Sequence, residues 1–316
     1  MIDFRYHLVS ILAVFLSLAI GLVLGANALR GPVLSSLQNQ AAGLHSANQK
    51  LRADSTQQQA QIKGEEQFAL ATAPQVVANR LKNESVVFVQ TPGGSQSIYE
   101  QLVPMVQKAG GTVTGEVTIQ NKFLADDQLE TLDALTKGLK PGVTDTADIT
   151  PYDRAGAVLA GALVTNQPSK AGQGDESNGA VLSAFKSAGY VTASENLRGR
   201  ATLAVVIAPS SPYTGQNADG DNKALISLAG ALDGADRGTV MAGPSTAAQD
   251  GGLISVLRDS GTASKVSTVD MADTASGQVV VVLAFGTETA GKSGAYGVGS
   301  GVNGYLPTPV PTAGKT

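Results

Sequence analysis

The fold is decided by residues 85–119, which read SVVFVQTPGGSQSIYEQLVPMVQKAGGTVTGEVTI. The first six residues are a short, nearly all-apolar run, typical of a strand that is covered on both faces. Residues 96–109 place apolar side chains at helical spacing, and Gly110-Gly111 ends that helix. Residues 112–119 then alternate as a second strand. A strand, a crossover helix and a strand predict a parallel β-α-β unit.

The same alternation continues along the chain to residue 285. Further helices are predicted near residues 126–139, 153–164, 177–188, 221–233 and 247–259, and further strands near 189–193, 202–208, 238–242, 265–269 and 278–285. Strands interleaved with helices of this length predict an α/β fold: a layered, Rossmann-like domain over residues 74–290 with a mostly parallel sheet. Residues 291–316 are rich in Gly and then Pro, which predicts a flexible tail.

The N-terminal segment has the composition of a transmembrane helix. Residues 8–29 read LVSILAVFLSLAIGLVLGANAL, without a charged side chain. At about 1.5 Å per residue this helix would span roughly 33 Å, enough for the hydrocarbon core of a bilayer. A helix in a globular core is the alternative, but such a helix normally has a polar face, which this run lacks. We therefore interpret residues 1–30 as a transmembrane signal anchor.

Retention of the anchor and its orientation are two separate questions. Ala26-Asn27-Ala28 fits the A-x-A pattern of a cleaved secretory signal. The apolar run is long for such a signal, and Arg5 is opposed by Asp3, so we favour an anchor that is retained. Arg5 and Arg30 lie on opposite sides of the run and set the orientation weakly. The simpler interpretation is a single-pass protein of the cell membrane with most of the chain extracytoplasmic.

Residues 31–73 have the pattern of a coiled-coil stalk. Leucines recur every seven residues, and a second series lies three residues before them, which together form an a/d seam. The predicted seam contains Leu34, Leu37, Ala41, Leu44, Asn48 and Leu51. A polar Asn at an a position is the kind of residue that fixes register and two-strandedness. The sequence also predicts that Gly64, Pro74 and the Ala-Thr-Ala between them end the stalk.

A homodimer is the favoured arrangement of the anchor and stalk. Gly21 and Gly25 form a G-x-x-x-G motif, in which two small residues on one helix face let two backbones approach closely. This motif and the seam lie on consecutive helical segments, so both fit a parallel helix pair. The alternative is a single amphipathic helix that packs on its own globular domain.

Composition excludes several classes of function. The 316 residues carry 22 basic and 26 acidic side chains, and the net charge of −4 argues against nucleic acid as a partner. The absence of Cys removes disulfides, thiolate metal sites and cysteine catalysis. The two histidines, His7 and His45, lie at the membrane boundary and on the stalk, so no hydrolase triad can be assembled. The sequence thus predicts no catalytic residues, no bound cofactor and a protein that is not an enzyme.

Two short motifs imitate ligand sites incompletely. Gly93-Gly94-Ser95 lies between a strand and its helix but lacks both G-x-G-x-x-G and G-K-[ST], so a tight turn is the better interpretation. Residues 217–222 imitate the start of a calcium loop, but the sixth position is Asn222 and the twelfth is Leu228. We interpret that segment as a solvated turn capping a helix that follows Asp221. Neither motif predicts a metal site.

The opening residues MIDFRYHLVS, followed directly by the apolar run with Gly21 and Gly25, resemble the MctB-type copper transport proteins of actinobacteria. Residues 86–94 and 293–297 are also similar to this family. In many family members the position of Ala295 is His, so this chain departs from the pattern and lacks one potential metal ligand. The resemblance covers essentially the whole chain, and its N-terminal block is the most specific part.

The resemblance implies two different roles. The copper branch implies a non-enzymatic envelope protein in copper homeostasis, with efflux through a pore-forming outer-membrane protein; copper as a ligand is implied by the resemblance alone. The SteB branch implies a tethered interaction module that works with a SteA-like partner in cell separation and influences peptidoglycan hydrolases. An anchor, a stalk and an α/β domain fit a tethered module better than a pore.

Overall fold

The computed structural model describes residues 4–139, 149–174, 176–195, 197 and 199–311, with the backbone alone for residues 27–34. The chain divides into two compact units, Met1–Glu65 and Glu66–Thr316. The first unit is helical in all its described residues. The second is a mixed α/β structure, and the predicted fold class is therefore right at this level.

The described residues form these helices, numbered in chain order: α1 Phe4–Val77, α2 Gln96–Lys108, α3 Asn121–Leu124, α4 Leu129–Leu139, α5 Pro151–Leu163, α6 Glu176–Ser187, α7 Ala218–Ala235, α8 Leu253–Arg258 and α9 Ala275–Glu288. The strands within the same residues are β1 Ser85–Gln90, β2 Thr112–Ile119, β3 Val191–Ala193, β4 Leu203–Ile207, β5 Thr239–Ala242, β6 Ser267–Val269 and β7 Ala295–Tyr296. Together these strands form one sheet with the order β3-β2-β1-β4-β5-β6-β7.

The sheet is parallel except at one edge, where β3 pairs antiparallel with β2. Every side chain of β1 and β4 is buried, as expected for central strands that carry helices on both faces. One apolar core lies between the sheet and α4 to α8. The other lies between the sheet and α2, α9 and the last turns of α1. The order 3-2-1-4-5-6 is that of doubly wound dinucleotide-binding sheets.

The last turns of α1 belong to the α/β unit. Ala73 and Val77 are completely buried in the core shared with α2 and α9. A carboxylate oxygen of Glu66 accepts the backbone N–H of Ala275 at 2.7 Å, at the first residue of α9. Gly64 and Pro74, which the sequence predicts at the end of the stalk, do not interrupt the helix, because α1 continues through both residues to Val77. The burial of Ala73 and Val77 accounts for the extra turns.

The predicted strand over residues 278–285 is wrong. This run is the interior of α9, a helix of 14 residues of which ten are buried. Periodicity cannot separate a buried strand from a helix that is buried all round. The hydroxyl of Thr274 accepts the N–H of Gly277 at 3.0 Å and starts the helix. The last strand of the sheet, β7, comes instead from the Gly-rich segment, for which the sequence predicts no regular element.

Candidate functional site

The switch point of the sheet lies between β1 and β4. The helix that follows β1, α2, packs in one apolar core, and the helix that follows β4, α7, packs in the other. Connections that diverge to opposite faces leave a crevice at the carboxyl ends of the two strands, where doubly wound sheets bind their ligands. In this chain the crevice is bordered by residues 91–94 and 209–213.

The chain's own backbone closes this crevice. The N–H and the hydroxyl of Thr91 both donate to the carbonyl of Ile207, at 3.1 and 2.8 Å. The N–H of Ser210 donates to the carbonyl of Gly93 at 3.0 Å, which joins the two loops directly. The N–H groups of Thr91, Gly94 and Ser210 are therefore bound to carbonyls of the chain itself and are not available to a phosphate group.

Tyr213 and Gly94 complete the closure. The hydroxyl of Tyr213 donates to the carbonyl of Pro92 at 2.7 Å, and burial raises the pKa of this phenol far above its usual range. A Cβ on Gly94 would lie 2.9 Å from the carbonyl oxygen of Thr91, so only glycine lets the backbone at position 94 come this close to that carbonyl. The N–H of Gly94 donates to that carbonyl at 2.8 Å, which confirms the predicted tight turn at Gly93-Gly94.

Two acidic side chains, Asp126 and Asp221, lie near the carboxyl edge of the sheet. The side-chain amide of Asn217 donates to carboxylate oxygens of Asp126 and Asp221 at 2.9 and 3.3 Å. Burial raises the pKa of Asp221, and the charge of Asp126 raises it further. The prediction that a helix begins after Asp221 is corrected, because α7 begins at Ala218 and its Asn217 side chain makes no capping bond. Within the described residues, no group of three or more His, Cys, Asp or Glu side chains could hold a metal ion.

Imidazole and thiol chemistry is absent from residues 66–316 of the sequence, which contain neither His nor Cys. His7 and His45 both lie on α1. The ring of His45 is exposed, and its Nε2 lies 3.0 Å from the side-chain nitrogen of Gln49. Both histidines therefore belong to the first unit, Met1–Glu65, and the sequence of the α/β unit contains none.

A buried ion pair organises the opposite end of the carboxyl edge. Arg258 of α8 and Asp270, which follows β6, approach to 2.8 Å and are 4% and 0% exposed. The Asp270 carboxylate also accepts the N–H groups of Val298 and Gly299 at 2.8 and 2.9 Å. We call this pair and the backbone that it holds the Arg258–Asp270 clasp.

The guanidinium of Arg258 donates four hydrogen bonds within the clasp. Its Nε donates to the Thr268 hydroxyl at 2.9 Å, and its two terminal nitrogens donate to the carbonyls of Ser300 and Tyr296 at 3.0 and 3.1 Å. Because these donors belong to one planar group, together they fix the position of the loop that contains Tyr296 and Ser300. The clasp therefore orders residues 296–300, within the segment for which the sequence predicts a flexible tail.

Buried carboxylates lie near the amino ends of β5 and β6. Glu288 accepts the N–H of Ser267 at 2.7 Å, and Asp236 accepts the N–H of Gly238 at 2.7 Å. Burial raises the pKa of Glu288 to about 8; the bond from Ser267 opposes this shift, and the charges of Asp233 and Asp236 add to it. Burial also raises the pKa of Asp236 well above its usual range. Protonation of these groups is therefore coupled to folding.

Glu288→Gln is expected to flatten the pH dependence of stability. The folded pKa of Glu288, about 8, exceeds the ordinary 4.5, so the native state binds more protons than the unfolded state between these pH values. The contribution of Glu288 to the free energy of unfolding is complete below pH 4.5 and is lost as pH rises through 8. The loss is no more than about 1.4 kcal/mol per pH unit. Gln keeps an acceptor for Ser267 and removes the titration. Urea unfolding at a series of pH values measures the slope, with exposed Glu130→Gln as the control; an unchanged slope for Glu288→Gln contradicts the assignment.

The residues predicted to associate two chains all lie on α1. Gly21 and Gly25 have open space where a Cβ would stand. Leu37, Leu44 and Leu51 are 56%, 74% and 68% exposed, and Ala41 and Asn48 are exposed as well. The side chain of Leu34 lies outside the described residues. An exposed leucine series on one helix is compatible with a partner, and the coiled coil and the dimer stay predictions.

The anchor prediction rests on Phe4–Ala26. This is the one segment in the described part of the chain that is long and apolar enough to cross a membrane, with a mean hydropathy of 2.7 and no buried residues in its most apolar window. Length and composition are the basis of this assignment.

The comparisons with known proteins assign the family. The sequence matches the family described as "Copper transport outer membrane protein, MctB" over residues 1–307. The chain belongs to the MctB family. Copper transporter MctB of Mycobacterium tuberculosis is 29% identical over 308 residues, covering 95% of this chain and 98% of the relative. Copper transporter MctB of Mycobacterium leprae is 30% identical over 311 residues, with the same coverage.

Membership in the MctB family supports a copper-related envelope role, and the family description together with the apolar helix supports a membrane-associated protein. The family-like segment 293–297 contains β7 and part of the clasp. Ala295, where the resemblance implies His in many members, pairs with Thr268 and donates its N–H to the Asn303 side chain at 2.8 Å. The clasp has no signal in the sequence, because Arg258, Asp270 and the glycines are separated along the chain and form no local motif.

Proposed function

We propose that this protein is a non-enzymatic, membrane-anchored member of the MctB family that acts in copper homeostasis and supports copper efflux. Its apolar N-terminal helix remains in the membrane, and the α/β unit lies outside the cytoplasm. The observation that carries the proposal is the family match over residues 1–307. Relatives that align with nearly the whole chain are named copper transporters.

The supply of copper ligands suggests how the protein takes part. Copper(I) prefers thiolate and thioether ligands, and imidazole binds either copper state. The chain has no Cys, two His on α1 and four Met, of which Met105, Met241 and Met271 are buried. We therefore propose that the protein supports efflux through a partner, such as a pore-forming outer-membrane protein, and that copper is cargo of the assembly.

Deletion of the gene tests this function. The deletion strain is expected to be more sensitive to copper and to accumulate more cell copper, and the full chain should restore both. A variant that lacks residues 1–30 should fail to restore them if the anchor is needed. Zinc sensitivity is the control for general envelope damage. Unchanged copper sensitivity and unchanged cell copper in the deletion strain contradict the proposal.

The proposed topology can be tested by labelling, because the natural chain has no Cys. A Cys introduced at exposed Ser46 is expected to react with a membrane-impermeant maleimide in intact cells, whereas a Cys at Ile2 should react only after lysis. The intact mass of the mature protein shows whether the chain is cleaved after Ala28. The reverse labelling pattern or a trimmed N-terminus contradicts the retained anchor.

Gly21→Leu is expected to weaken helix pairing in the membrane. Leucine adds a bulky side chain where two backbones would approach, and the motif loses its close contact. Crosslinking of the full chain in membranes measures the change, with Gly43→Leu as a matched control on an exposed part of α1. Equal crosslinking of both variants and the natural chain would show that Gly21 is not at an interface.

The second candidate is a SteB-like tethered module that binds a SteA-like partner and influences peptidoglycan hydrolases during cell separation. The closed crevice between β1 and β4 favours it, because a domain without an open switch-point site fits docking better than chemistry. Recovery of a division protein from solubilised membranes, together with defective septation in the deletion strain, would favour this role. Normal septation with altered cell copper would favour the copper role.

A further inference from the structure

We propose that a cleft at the carboxyl ends of β5, β6 and β7 binds a small polar ligand that carries a primary ammonium group beside hydroxyl or amide groups. The cleft has a volume of about 510 Å³, which is within the range of small-molecule sites. Its lining includes Ser245, Gln249, Asp250, Ser255, Val298 and Ser300. The inference does not depend on the copper role.

The cleft lies at the edge of the sheet where ligands are expected to bind. Open parallel sheets bind ligands outside the carboxyl ends of their strands. The usual binding crevice, between β1 and β4, is bridged by the bond from the N–H of Ser210 to the carbonyl of Gly93. The cleft lies farther along the same edge, between the loop after β5 and the loop after β7. It is therefore an open pocket at the edge that this architecture uses for binding.

One wall of the cleft is held in place by the Arg258–Asp270 clasp. Desolvating two charges is costly, so a buried ion pair is seldom explained by stability alone. Here the Arg258–Asp270 clasp holds the backbone of residues 296–300, which forms that wall. A Cβ on Gly299 would lie 2.7 Å from an Asp270 oxygen, so glycine is needed there. The clasp also holds Val298 with 64% of its surface exposed beside the cleft. A wall fixed in this way is preorganised for a ligand.

The chemistry of the lining selects the ligand. Asp250 supplies the one formal charge among the lining residues, all of which lie in the described chain, and it is exposed. The serine hydroxyls and the amide of Gln249 can donate and accept hydrogen bonds. Arg258 lies behind the wall, and four of its five N–H donors are already bound within the clasp. The lining has no aromatic side chain for a nucleobase. An ammonium group opposite Asp250 fits this set of donors and acceptors.

Binding to the full chain in lipid nanodiscs tests the proposal with defined probes. The probes are the glucosamine disaccharide and trialanine, each compared with its N-acetylated form, which keeps the shape and loses the charge. At least one free amine is expected to bind about fivefold more tightly than its acetylated form, as a partly exposed charged hydrogen bond would give. The arm that binds identifies the ligand as a sugar or as a peptide amine.

Two variants connect binding to the cleft. Asp250→Asn should remove the preference for the free amine, while exposed Asp259→Asn, outside the lining, should keep it. Ser255→Phe should abolish binding of either probe by filling the cleft. The proposal is overturned if neither free amine binds, if free and acetylated forms bind equally, or if Asp250→Asn binds as the natural chain does. Circular dichroism that matches the natural chain shows that each variant is folded.

Discussion

Asp270→Ala is expected to lower the free energy of unfolding of the α/β unit by about 3–5 kcal/mol, the cost of leaving a buried charge without its partner. The substitution leaves Arg258, whose side chain is 4% exposed, without its carboxylate. It also removes the acceptor for the N–H groups of Val298 and Gly299. Tyrosine fluorescence during urea unfolding in detergent measures the effect, because six of the seven tyrosines lie beyond residue 65 and the chain has no Trp.

Two further variants separate the charge effect from general damage. Asp259→Ala removes an exposed carboxylate nearby and should change the free energy of unfolding by less than about 0.5 kcal/mol. The double variant Arg258→Met with Asp270→Leu should recover part of the loss, since no uncompensated charge remains. If Asp270→Ala unfolds at the same urea concentration as the natural chain, the pair is not buried as described.

Leu44→Asp is expected to separate the proposed dimer. In a two-stranded stalk Leu44 would occupy a d position, where a carboxylate without a partner costs several kcal/mol. Disulfide crosslinking measures the pairing directly: Asn48→Cys introduces the chain's one thiol at an a position. The natural stalk should crosslink through this cysteine, and Leu44→Asp should reduce the crosslinked fraction more than tenfold.

The control for the stalk prediction is Ala53→Asp, which adds the same charge at an f position away from the seam. It should leave the crosslinked fraction unchanged. The present structure leaves Leu44 74% exposed on α1, so the single chain gives no reason for the leucine series. Equal crosslinking of Leu44→Asp and Ala53→Asp would favour the alternative of a lone amphipathic helix.

The sequence predicted the β-α-β unit well, because each element has its own local signal. The apolar run at Ser85–Gln90 became β1, and the helical spacing before Gly110 became α2. It failed at residues 278–285, where seven consecutive apolar residues after Gln278 carry no period that separates strand from helix. Tertiary packing decided that segment, since α9 is covered on nearly all sides.

The carboxyl edge could not be predicted, because its contacts join distant parts of the chain. The closure of the switch point needs the Tyr213 hydroxyl to reach the carbonyl of Pro92, and neither residue lies in a motif. The clasp combines Arg258 with glycines in a segment whose composition predicts flexibility. Composition reports the average tendency of a segment, whereas a single buried carboxylate can fix its conformation.

The burial of Ala73 and Val77 has a mechanical consequence. A load applied along the C-terminal turns of α1 would act on side chains in the core shared with α2 and α9, and would not be absorbed by a slack linker. Detaching these turns would expose apolar surface and break the bond between Glu66 and Ala275. Pulling these turns out of the α/β unit should therefore strain the helical layer that packs on the sheet.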